Sequence, residues 1–262
     1  MSFETQMTSV RNGVFQVETR KAGSGEPLVF LHGAGGNAQL DKGMEMLAEH
    51  YTVYAPSAPG WDGSEGIEQI DDIIDMAMFY SEYFDALGLT SFNLMGTSMG
   101  GMFAAEVAAI FPQYVKKLVL LAPAGLWSDE IKTPDFYTMG DDELMHALFV
   151  NPPAIPPPPE NPDEATRKMM MQMQLSHARA MASSTKFLWP IWDKGLKKRI
   201  HRIKAPTLLI WGDSDGVNPP AYGPVWQKKI AGSKLVNVAK AAHVVSTEQP
   251  DEFVRLVTDF LK

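Results

Sequence analysis

No cysteine occurs among the 262 residues. That absence removes disulfides, a thiolate nucleophile and every cysteine metal site together. Long apolar runs are missing too, since none approaches the roughly 20 consecutive residues that a membrane-spanning helix needs. The opening stretch MSFETQMTSVRNG has no cationic start followed by an apolar core, so no signal peptide is expected and the cytoplasm is the expected compartment. Positive charge is in deficit, with 23 lysines and arginines against 31 aspartates and glutamates and a formal charge of -8. Such a surface repels phosphate backbones and anionic lipid, so neither nucleic acid nor membrane is expected as a partner. What is present is ordinary for a folded chain: 45% hydrophobic and 21% charged residues argue against disorder or a fibrous repeat. The length suits one large α/β domain with an insertion better than two independent domains.

Strand-like and helix-like segments alternate along the chain. PLVFLHG (27–33) and YTVYAP (51–56) are short β-rich runs, and NAQLDKGMEMLAEH between them has helical spacing. Residues 70–88 carry apolar positions three and four apart and stop at Gly88, where a helix would end. FNLMG, KLVLLAP (117–123) and PTLLIWG (206–212) are continuous apolar runs of the kind buried on both faces in a parallel sheet. KLVNVAK (234–240) and a closing helix TEQPDEFVRLVTDFLK complete the pattern. These features predict a mainly parallel sheet flanked by helices, with antiparallel strands from residues 2–22 at one edge.

Residues 124–205 break the alternation. They contain a short helix candidate (141–149), the proline cluster NPPAIPPPPENP (151–162) and a long helix candidate (163–182), but no convincing strand. The proline run cannot donate backbone hydrogen bonds and is expected as an extended connector. The segment is therefore expected to be a helical lid over residues 126–204, with the core formed by residues 1–125 and 205–262. KGLKKRIHRIK (194–204) is expected to be a solvated hinge between lid and core.

LMGTSMGG (94–101) sets a lone serine between Gly96 and Gly100, after a buried-strand pattern and before a helical one. A strand-turn-helix elbow that exposes a serine oxygen needs this arrangement, because side chains two residues away would collide in so tight a turn. Ser98 is the candidate nucleophile, aimed over the carboxyl end of the sheet. FLHGAGGN (30–37) follows another strand and can aim a backbone N–H at a developing oxyanion. The two donors assigned are Met99 and Ala34, with Gly35 the fallback for the second. His32 in this stretch is expected to brace the loop. A phosphate-binding loop is the alternative reading, but the G-x-G-x-x-G spacing and the P-loop lysine are absent. In WGDSDGVNPP, Asp213 and Asp215 compete to orient a base; Asp215 lies farther from the strand end and is favoured, with Asp213 expected to bond the backbone of its own turn. His243, on the loop between the last strand and last helix, is the candidate base. The chain order Ser98, Asp215, His243 fits this assignment.

HGAGG, APSAPGWDGS, GTSMGG, LVLLAPAG, WGDSDGVNPP and HVVSTEQP appear in an order and at spacings that resemble the α/β-hydrolase superfamily over nearly the whole chain. The resemblance implies an eight-stranded sheet, a lid after the sixth strand, nucleophile Ser98, acid Asp215 and base His243. It is strongest toward lidded esterases and the carbon-carbon bond hydrolases of vinylogous diketones from aromatic degradation. Two departures stand out: Asp62 replaces a glycine common in the Pro-Gly-aromatic-Gly-x-Ser loop, and Ala242 precedes the base where glycine is frequent. Serine at position 98 argues against branches that attack with a carboxylate.

The expected activity is hydrolysis of small to medium apolar carboxylic esters through an acyl-enzyme, with no metal and no organic cofactor, by a monomer or homodimer. Carbon-carbon bond hydrolysis is the main alternative; a non-catalytic ligand-binding member of the fold is another, and an oxygenase, lyase or perhydrolase using the same residues remains open. Methionines at 169, 170, 171, 173 and 181 are expected either to pack the lid on the core or to line the pocket. Arg167, Lys168 and Arg179 are the only lid cations expected near the pocket that could anchor a substrate carboxylate.

Overall fold

The computed structural model describes residues 2–37, 40–154, 157, 159–190 and 193–262. Eight strands form one sheet: β1 (Glu4–Val10), β2 (Phe15–Ala22), β3 (Pro27–Leu31), β4 (Thr52–Pro56), β5 (Phe92–Thr97), β6 (Val115–Leu121), β7 (Thr207–Gly212) and β8 (Lys234–Val238). Their spatial order is β1-β2-β4-β3-β5-β6-β7-β8. The β1–β2 and β2–β4 pairs are antiparallel and the remaining pairs parallel. The expected antiparallel edge is thus present, and its burial pattern follows the composition. β1 is largely exposed, whereas every residue of β7 is buried, as its unbroken apolar run requires.

Helices cover both faces. One face packs α2 (Ile73–Ala86), α3 (Met99–Ile110) and α6 (Tyr222–Lys229); the other packs α1 (Lys42–Leu47), α7 (Val245–Glu248) and α8 (Pro250–Leu261). Asp72 caps α2 by accepting from the amides of Ile74 and Asp75 at 2.7 and 3.0 Å. The helix expected over 37–50 is confined to α1; Ala38 and Gln39, at its expected start, lie outside the described residues. The single closing helix is two. Pro250 has no N–H and crowds the preceding turn, so α7 ends and α8 begins with Pro250 at its first turn.

Among the described residues no strand interrupts 122–206. This insertion carries α4 (Asp141–Leu148) and α5 (Glu164–Leu188). Asp163 caps α5 through the Thr166 amide at 2.7 Å. Its final turns bury Phe187 and Leu188, which extends the helix beyond the expected residue 182. Three donors one or two turns apart latch the same half of α5 to the loop after β4: Arg179 to the Ser64 carbonyl (3.3 Å), Ser183 to Gly60 (3.1 Å) and Lys186 to Ile67 (3.2 Å). The first half is largely exposed. Parts of two sequence features, Ile155, Pro156 and Pro158 of the proline cluster and Ile191 and Trp192 before the basic stretch, lie outside the described residues.

The basic stretch is not a solvated hinge. Leu196, Ile200 and Ile203 are buried, Arg199 makes a two-pronged pair with Glu106 of α3 at 2.6 and 2.7 Å, and Arg202 bonds the Ala109 carbonyl at 3.0 Å. Its apolar residues recur at three- and four-residue spacing and dock it on α3, a pattern hidden in the sequence by the density of cations.

Candidate active site

β3, β5, β7 and β8 end on the same side of the sheet, and each is followed by a loop that contributes to one site. After β5, Ser98 adopts φ 54° and ψ -118°, a left-handed backbone that costs on the order of 1–3 kcal/mol for a residue other than glycine. The turn is held from β6: the Ser98 amide donates to the Leu121 carbonyl at 2.9 Å, and its own carbonyl accepts from Ala124 at 3.0 Å and Met102 at 3.1 Å. A Cβ at Gly96 would lie 2.3 Å from the Gly100 carbonyl oxygen, and one at Gly100 only 2.1 Å from that of Leu31. The two glycines therefore admit the first turn of α3 against β5 and β3, which lifts Ser98 into the cavity above the strand ends.

The loop after β3 is braced by side chains rather than left flexible. Buried His32 donates from Nδ1 to the Gly33 carbonyl (2.7 Å) and accepts at Nε2 from the Ala58 amide (2.9 Å). Those two bonds need the neutral ring, and burial pushes its pKa down from the ordinary 6.5. Trp61 Nε1 donates to the Ala34 carbonyl at 2.8 Å. The C=O and N–H of one trans peptide point opposite ways, so His32 sets the direction of the Ala34 N–H and Trp61 that of Gly35. Asp62, where a glycine is common, takes φ 48°; its carboxylate accepts from the Asn37 amide (3.0 Å) and Ser57 hydroxyl (2.6 Å). Asp tolerates this conformation better than most residues, and here it ties two loops together.

After β7, the roles of the two aspartates differ from expectation in one respect. Asp213 is exposed and accepts from the Ser214 hydroxyl at 2.8 Å. Asp215 holds its own turn, with Oδ1 accepting from the amides of Val217 (2.9 Å) and Asn218 (2.8 Å), while Oδ2 lies 2.8 Å from His243 Nδ1. Its side chain is fully buried. This pairing makes Nδ1 the donor and leaves Nε2 as the free acceptor of a neutral imidazole.

Ser98 and His243 line the same cavity of about 300 Å³, together with Gly33, Ala34, Gly35 and Thr97 from the core. The insertion lines it with Phe136, Leu144, Leu148, His177 and Met181, and Val217 and Val244 complete an apolar wall. His177, read in the sequence as needing no special role, is thus a cavity residue. Its spacing from Met181 marks one helix face, but which face meets the site depends on how α5 docks. Of the methionines, Met181 lines the cavity, whereas Met169, Met171 and Met173 are more than half exposed and do neither task expected of them. No lysine or arginine lines the cavity among the described residues; Arg179 instead donates from Nη2 to the Ser64 carbonyl at 3.3 Å.

A sequence profile described as "Alpha/beta hydrolase family" matches residues 28–256. The chain is 26% identical to a 2-hydroxy-6-oxo-6-phenylhexa-2,4-dienoate hydrolase of Burkholderia cepacia, over 94% of this chain and 91% of that one. It is 27% identical to Lipase 3 of Moraxella sp. (strain TA144), over 86% and 74% respectively. Among solved structures, that of a membrane phospholipase A superposes with a TM-score of 0.81 at 25% identity, covering 99% of this chain and 86% of that one.

Proposed function

This chain belongs to the alpha/beta hydrolase family, and from that premise we propose that it is a serine hydrolase of small to medium apolar carboxylic esters. The observation that carries the reading is the convergence of Ser98 on its strained turn, the paired His243 and Asp215, and the apolar cavity that Ser98 and His243 share. In this reading the neutral Nε2 of His243 takes the Ser98 proton as Oγ attacks the ester carbonyl carbon. The Met99 amide, which opens α3 and so has no intrahelical acceptor, and the Ala34 amide receive the oxyanion, with Gly35 the fallback. His243, its cation stabilised by Asp215, then returns the proton to the departing alkoxide. Water repeats the sequence on the acyl-enzyme and frees the acid. Residues 126–204 form the lid that closes the cavity. With this reading go the cytoplasmic setting and the monomer or homodimer expected from the sequence.

The relatives divide between lipases and a hydrolase of an anionic dienoate, which makes carbon-carbon bond cleavage the second reading. Such a substrate carries a carboxylate, and a cavity without lysine or arginine favours the uncharged ester instead. An aryl organophosphonate should label Ser98, and the same preparation should hydrolyse aryl acetate and butyrate with a far higher kcat/KM than an anionic dienol-ketone. The reverse ranking would select the second reading. Failure to label Ser98 would remove both.

A further inference from the structure

Helix α4 ends against the two loops that hold the acid and the base. Carbonyls in the last turn of a helix lack amide partners from their own helix. Here Ala147 O accepts from Gly216, next to Asp215, at 3.1 Å, and Leu148 O accepts from the amides of His243 and Val244 at 3.1 and 3.4 Å. The chain leaving α4 then meets the base loop a second time through Glu248, the last residue of α7. One of its oxygens accepts from the amides of Val150 (2.8 Å) and Asn151 (3.4 Å), the other from Ala242 (2.7 Å). Three N–H donors converge on one side chain, and only an ionised carboxylate offers acceptors alone; glutamine would turn an NH₂ toward one of them. Ala242 precedes His243, and its backbone is already pressed against β7, since a Cβ at Gly212 would lie 2.0 Å from the Ala242 carbonyl oxygen.

We infer that Glu248 is a positioning residue for His243: by joining the residue before the base to the chain leaving α4, it fixes the imidazole against Asp215 and Ser98. Leu144 and Leu148 of the same helix wall the cavity, so this carboxylate makes the substrate-facing wall and the base one unit. The inference rests on the serine hydrolase reading for its kinetic consequence, though not for its structural one.

The test compares wild type with Glu248→Gln, Glu248→Asp and Arg199→Met, the last as a destabilised control remote from the base. Misplacing a catalytic group by a fraction of an ångström to 1 Å costs up to about 100-fold, so Glu248→Gln should lower kcat for an aryl acetate by about tenfold or more. KM should stay within about twofold, and the rate of organophosphonate labelling at Ser98 should fall in step with kcat. Glu248→Asp keeps the charge but is one methylene too short to span both sets of amides, and should lose kcat as well. Arg199→Met should lower Tm and leave kcat unchanged. Wild-type kcat in either Glu248 variant, or a loss confined to KM or Tm, overturns the inference. A readout without substrate separates it from the ester reading: the downfield proton resonance of the His243 Nδ1–H bonded to Asp215 should shift or broaden in Glu248→Gln. An unchanged resonance overturns the positioning role, whereas wild type that neither turns over ester nor labels at Ser98 overturns the function alone.

Discussion

Asp215 divides its two oxygens between its own turn and His243, whereas Asp213 meets only a serine hydroxyl at the surface. An amide at 215 could preserve the turn but would disfavour the Nδ1–H tautomer, so Asp215→Asn should lower kcat by orders of magnitude, up to about 10⁴-fold by the behaviour of such triads. Asp213→Asn should stay within about twofold of wild type. Steady-state ester kinetics on both variants decide the ranking, and equal losses would move the orienting role away from Asp215. Ser98→Ala should fold normally and lose nearly all turnover. His32 supports a prediction about pH. Its pKa is lowered by burial in the folded protein, so below 6.5 the unfolded chain binds a proton that the folded one resists. The resulting stability is complete above pH 6.5 and is lost as pH falls through the lower folded value. Tm should therefore drop more steeply from pH 7 to 5 in wild type than in His32→Gln, and parallel curves would exclude this contribution. His32 was legible as a loop brace because it follows a strand end, whereas the bond from Trp61 to the Ala34 carbonyl joins residues 27 apart and left no signal in the sequence.

The elements with the plainest sequence signals are those that the sheet buries on both faces. β3, β5, β6 and β7 follow their apolar runs to within two residues at each end, because a strand covered on both sides favours apolar residues at nearly every position. The insertion was less legible, since a helix whose first half faces solvent on nearly all sides has no face that its pattern must protect. Docking of 196–203 on α3 was hidden for a related reason: the ion pair that anchors it unites residues 93 apart. Glu106 is fully buried and Arg199 about a quarter exposed. Removing one partner of a buried pair strands the other charge, at a cost of about 2–4 kcal/mol for a pair partly open to solvent. Arg199→Met should lower the unfolding free energy by that amount, seen as a lower urea midpoint at an unchanged denaturant slope. The double variant Glu106→Leu/Arg199→Met should recover much of the loss, and a double variant less stable than the single one would show that the pair is worth more than an apolar replacement.

For the whole molecule, the cavity is the meeting point of core and insertion, and on the proposed reading its size limits the ester that can enter. A space of about 300 Å³ lies at the lower end for small-molecule sites. kcat/KM for aryl esters should be highest at acetate to butyrate and fall as the acyl chain lengthens. Leu144→Ala and Met181→Ala shorten side chains that wall the cavity and keep Ser98 and His243 themselves unaltered, and each should move the optimum to longer chains; an unmoved optimum would mean that the acyl group lies elsewhere. The sheet order carries a separate consequence for how the protein comes into being. Among the described residues β8 is an outer strand paired only with β7, it is the last of the eight strands in chain order, and the loop of His243 follows it. A growing chain thus contains β1 to β7 and Ser98 before it contains His243, the base of the proposed reading. On the proposed reading a chain cut short before residue 243 loses its base together with α7 and α8, whose Val245, Phe253 and Val257 cover one face of the sheet, so it should be both poorly folded and inert toward esters.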